Sequence, residues 1–196
     1  MFHPQESRIE RVSRFTARVD SAPESAYTGG VILLRRKNMA DSTAISDALA
    51  ALLAASGIQA SFEERAQHGV FSIRMKLRCR LQSAQMIILV RQDSFSTLTT
   101  LPLTADVDHR LAVAEYLTRV NWGMRNGCFE LNMADGEIHF KTYVHVGAGE
   151  VEPTGARLAV MLPFLMIDRF GDGLIDVLFG LKTPREAFEA VSQPSG

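Results

Sequence analysis

Asp168, Asp172 and Asp176 recur at intervals of four and would project from one face of a continuous helix. Carboxylates in such a file do acid–base work or bind a cation only when burial or convergence tunes them. Otherwise the file faces water or a basic partner. His139 and His145 share one face of a strand-like stretch, but at the strand rise they stand about 20 Å apart, too far to bind one metal ion together. His3, His68 and His109 have no placement that brings them in. Cys79 and Cys128 are the only thiols, too few and too isolated for a disulfide framework or a zinc site. Cys79 falls among apolar positions and reads as a small buried hydrophobe. The GxxxxGK phosphate loop, GxGxxG, HExxH, CxxC and GxSxG are all missing. The expectation is therefore no catalytic, cofactor-binding or metal-binding residue, and no enzyme.

The strongest positive feature is basic. Arg74, Lys76, Arg78 and Arg80 alternate with Phe71, Ile73, Met75, Leu77, Cys79 and Leu81, and no acidic residue lies between Gly69 and Gln92. Alternation of period two predicts a strand over 70–81 with one packed face and one wet face. The four bases form a ridge on the wet face, where they can engage an acidic protein surface or a nucleic-acid backbone through charge-assisted hydrogen bonds. Neighbouring acids could neutralise the same ridge, or it could serve only to block edge association.

The elements that must carry these residues follow from the same patterns. Ser42 or Thr43 caps a helix to about Ser56, with Ile45, Leu49, Leu52 and Leu53 on its apolar side and Gly57 as the stop. Gln59 to Arg65 reads as an edge strand, Met86 to Val90 as a short apolar strand, and Phe95 to Leu101 as a further alternating one. A helix from Asp106 to about Asn121 covers this meander, with its acidic start at the positive end of the dipole. Two strands follow, joined at Asp135-Gly136, a pair suited to a tight turn. Asn121 is expected to satisfy backbone groups at the helix–strand junction, and Trp122 to cover the core there. An apolar helix spans 156–170 with Pro163 inside it, and Gly171 and Gly173 weaken it before Leu174 to Phe179. Thr183, Pro184 and Glu186 form the start signal of a last helix to about Val191.

The chain of 196 residues can bury one sizeable core or two small ones. Its formal net charge of -1 gives no reason for long-range attraction to nucleic acid or membrane by the whole molecule. Charge is uneven, however: residues 1–40 carry seven basic and four acidic side chains, whereas 147–196 carry four and seven. Residues 1–40 read as a flexible or appended segment and 41–196 as a single domain. The start lacks the pattern of a secretory signal, and no stretch approaches the roughly 18 uninterrupted apolar residues of a spanning helix. A cytoplasmic protein without a membrane partner is the expectation.

The run from Tyr116 to Asn121, Trp122 and Gly123, on to Gly127, Phe129, Glu130 and Leu131, then Asp135-Gly136-Glu137-Ile138, resembles the YbjN-like family of bacterial sensory transduction regulator domains. So do Asp168-Arg169-Phe170 through Gly180 and the terminal Pro184-Arg185-Glu186-Ala187. The resemblance covers roughly residues 42 to 191. It implies an α+β fold like that of type III secretion chaperones, α-β-β-β-α-β-β-α, with an antiparallel sheet backed by helices. It also implies a homodimer that holds a partner polypeptide, and it brings no catalytic residues to carry over. Residues and resemblance together point to a non-enzymatic adaptor or chaperone-like protein binding a protein partner through Arg74, Lys76, Arg78 and Arg80. A regulator that binds nucleic acid through the same strand face is the alternative.

Overall fold

The computed structural model describes residues 42–65 and 68–192. Helix α1 (Ser42–Ala55) is followed by strands β1 (Ala60–Arg65), β2 (His68–Lys76), β3 (Ser83–Val90) and β4 (Ser94–Thr104). Then come α2 (Arg110–Trp122), β5 (Cys128–Leu131), β6 (Glu137–His145), α3 (Pro153–Leu178) and α4 (Pro184–Ser192). The strands make one antiparallel sheet in the order β1-β2-β3-β4-β6-β5. The α+β class and the helices on an antiparallel sheet are as expected. Four strands precede α2 and α4 follows α3, as the residue patterns indicate, where the order implied by the resemblance has three strands and a single final helix. The segment 1–40 lies outside the described residues.

Pairings such as Phe71↔Ile88 and Ile73↔Met86 stack apolar side chains on the helix-covered face. There α1 buries Ile45, Leu49 and Leu53, and α2 buries Val113, Tyr116, Leu117 and Val120. The opposite face is less wet than alternation predicts: Val70 lies beside Leu89 and Ile87 beside Leu98, and all four are buried. That face is exposed at Arg74 and Lys76, and again toward Tyr143 and His145 on β6. Helix α2 begins at Arg110, not Asp106; Asp106 stands ahead of it and accepts the His109 N–H and the His109 ring nitrogen at 2.9 and 2.8 Å.

Helix α3 runs through Pro163, Gly171 and Gly173 without a break to Leu178, where the two glycines were expected to weaken it after 170. Each helical glycine weakens the helix by about 1 kcal/mol relative to Ala, but here each admits a neighbour. A Cβ on Gly171 would sit 2.8 Å from Cys79 Sγ, and one on Gly173 would collide with the Tyr116 hydroxyl. That hydroxyl instead donates to the Phe170 carbonyl at 2.7 Å. Beneath α3, the buried hydroxyls of Thr97 and Thr142 meet at 2.7 Å, and Thr142 donates on to the Ala159 carbonyl. At its start, the Glu152 carboxylate accepts the free N–H groups of Thr154 and Gly155.

Candidate functional site

The four bases of the ridge do not share a strand. β2 ends at Lys76, and residues 77–82 form a turn with Gln82 at φ 62°. The reason lies about ninety residues away. Asp168 accepts the N–H groups of Arg78 and Cys79 at 2.6 and 3.2 Å, and Asp172 accepts that of Arg80 at 2.8 Å, so α3 takes donors that a strand neighbour would otherwise take. Leu77, Cys79 and Leu81 remain buried, which preserves the alternation without the strand. The Arg80 guanidinium reaches Asp172 at 3.3 Å and Asp176 at 2.5 Å, and Lys182 reaches the other Asp176 oxygen at 2.7 Å. Burial pushes the Asp176 carboxyl up, but the bonds from Lys182 and Arg80 outweigh it and hold the group below the usual carboxylate range. The aspartate file thus faces a basic partner, as one of its two readings anticipated, and the partner is internal. Burial also raises the Cys79 thiol, with Asp168 and Asp172 beside it; the group is a packed side chain, not a nucleophile. Arg74, Lys76 and the side chain of Arg78 stay exposed, with no acidic partner among the described residues.

At the helix–strand junction, Asn121 bridges both backbone groups of Phe129, donating to its carbonyl and accepting its N–H at 2.8 Å each. Asp135 caps the turn by accepting the Glu137 N–H, and Gly136 takes φ 79° against the Ala105 carbonyl. His139 lies 3.8 Å from Glu130 across β5 and β6, while His145 is exposed. Among the described residues no group of three His, Cys, Asp or Glu is placed to hold a metal ion.

Trp122 corrects an expectation: it is 93 % exposed and covers no core. It ends α2, where the helical turn that buries Val120 points the residue two positions on toward solvent. There it stands at the mouth of a groove of about 460 Å³ between the α2–β5 link, α3 and α4. Leu162, Met166, Phe188 and Met124 line it half-buried, and Trp122 and Leu158 line it exposed. Arg119, Arg125 and Arg169 line the same groove, and among the described residues no acidic side chain does. Arg119 is held by Glu115 at 2.6 Å, and Arg169 lies 5.3 Å from the Phe170 ring centroid. Neither Arg125 nor Arg169 has an acidic partner among the described residues.

A second hollow of about 590 Å³ shares Arg125, Asn126 and Leu158 with the first and runs along β6. β5 pairs with β6 only as far as Cys128↔Lys141. The Val146 N–H turns toward β4 and the Glu137 carbonyl toward the β5 side, so alternation directs the backbone groups of Tyr143 and His145 to the β5 side, where no described strand pairs with them. The combined trough offers apolar side chains, guanidinium groups and a short free sheet edge. Cys128, Glu130 and Lys141 line the second hollow as well. No family model matches the chain, and no curated protein matches it.

Proposed function

We propose that this domain is a non-enzymatic, chaperone-like adaptor of the cytoplasm that holds a segment of a partner polypeptide in the groove between α2, α3 and α4. The exposed Trp122 beside Leu158, itself 44 % exposed, carries the reading. Large aromatic side chains next to a partly open apolar pocket dominate protein interfaces, and truncating one commonly costs about 2 kcal/mol or more of binding. The resemblance to YbjN-like domains supports the same class of function. The basic residues first singled out support it less, because Arg80 is consumed by Asp172 and Asp176.

Capture on the tagged full chain from lysate of its own host, with and without nuclease, tests this. A nuclease-resistant protein retained by the wild type and lost by Trp122→Ala with Leu158→Ser is the expected result. Retention by that variant, with loss on replacing Arg74, Lys76 and Arg78 by Ser, would refute the groove. Arg74, Lys76 and Arg78, exposed and without acidic partners among the described residues, favour a second reading, a regulator that binds nucleic acid. Capture that vanishes with nuclease and falls steeply with salt would establish it.

A further inference from the structure

We propose that the segment held in the groove is acidic as well as apolar, and that Arg157 and Arg169 of α3 keep a second copy of this chain out of it. This rests on the adaptor reading above and names the chemistry of its partner. Arg119, Arg125 and Arg169 line the apolar groove; Glu115 holds Arg119, Arg125 and Arg169 have no acidic partner among the described residues, and no carboxylate among the described residues lines the groove. A segment that buries leucine- or phenylalanine-like side chains on Leu162 and Met166 must pass its intervening residues along those arginines. Acidic residues there gain charge-assisted hydrogen bonds with a planar donor fork, and basic ones meet like charge in a partly desolvated place.

Self-association through α3 fails by the same geometry. The outward stripe of α3 carries Arg157, Leu158, Met161, Leu162, Leu165 and Arg169, with the two arginines at its ends, six residues either side of Pro163. An antiparallel twofold pairing of two such stripes sets Arg157 of one chain against Arg169 of the other, and does so twice. Asp168 and Asp172 of α3 are engaged with the turn at residues 78–80, and Asp172 pairs with Arg80. An acidic segment from another protein fits where a second copy does not.

The test is to pan a random, displayed 16-residue peptide library against the full chain and synthesise the winners. Trp122 is the single tryptophan and sits at the mouth of the groove, so its emission reports occupancy directly. The winners should combine Asp or Glu with large apolar residues and shift Trp122 emission to the blue. Arg125→Glu with Arg169→Glu should weaken them tenfold or more, and exchange of the peptide acids for Lys should restore binding to that variant. Circular dichroism confirms that both forms are folded. Winners that shift Trp122 but bind the charge-reversed chain equally would overturn the acidic inference and leave the groove standing. Winners that leave Trp122 unchanged, or no winners, would overturn both. A wild-type dimer in light scattering that Leu162→Asp converts to a monomer would show that the face is a self-interface, and the proposal fails.

Discussion

Asp176 and Arg80 should be strongly coupled, although ninety-six residues separate them. The Asp176 side chain is 11 % exposed and joins Arg80 at 2.5 Å and Lys182 at 2.7 Å. Hydrogen bonds to charged groups contribute about 1.5–3 kcal/mol each, but Arg80 and Lys182 are nearly half exposed and regain water when the carboxylate is removed. Asp176→Ala is therefore expected to cost about 2 kcal/mol in total. At about 2–4 °C per kcal/mol, that lowers Tm by about 4–8 °C. Arg80→Ala should cost somewhat less, since Asp176 keeps Lys182. In a cycle of four proteins followed by urea denaturation, the coupling should be about 1 kcal/mol, above the few tenths that independent sites show. Additive costs would refute the clasp and return Arg80 to the free ridge. The pH dependence has a fixed sign. A folded carboxyl held below its ordinary 3.8 contributes stability above that value and loses it as pH falls through the lower folded value. The gap between wild type and Asp176→Asn should therefore narrow below about pH 4.

Gly136→Ala should cost more than about 3 kcal/mol, because φ is 79° and the new Cβ would overlap the Ala105 carbonyl. Gly57→Ala, at φ 66° with open space around it, should cost only about 1 kcal/mol; equal thermal shifts would contradict the close approach. Tyr116→Phe removes the donor to the Phe170 carbonyl and should lower stability by about 1 kcal/mol in chemical denaturation. Burial raises the Tyr116 phenol above its usual range, so it should stay protonated in the folded protein beyond the range in which an unfolded tyrosine ionises, and unfolding should become easier as pH passes about 10. Asn121→Ala strands both backbone groups of Phe129 and should cost about 2–3 kcal/mol, which a urea melt measures.

Local chemistry was readable from the chain wherever its partners were near in sequence. Gly57 ends α1 at φ 66°, Asn121 bridges Phe129, Asp135-Gly136 makes its turn, and Thr183 and Glu186 exchange hydrogen bonds across the start of α4 as the capping signal predicts. What failed depended on distant partners. Alternation through Leu77, Cys79 and Leu81 is the same whether the chain continues as a strand or turns onto α3, and only Asp168 and Asp172 decide. Gly171 and Gly173 read only as weakening the helix because Cys79, Leu81 and Tyr116, which occupy their space, are far away in the chain. The groove is assembled from residues near 119–126, 158–170 and 188–192, and no single stretch shows its shape. An exposed Trp at a helix end carries no periodic signal that separates a core cover from a binding wall.

The most direct measurement places a photo-crosslinking amino acid at Trp122, and separately at Arg74, in the full chain within its own host. Docking in the groove predicts a protein adduct from position 122 and none from position 74. An adduct from position 74 alone would put the partner on the sheet's basic face and contradict the groove.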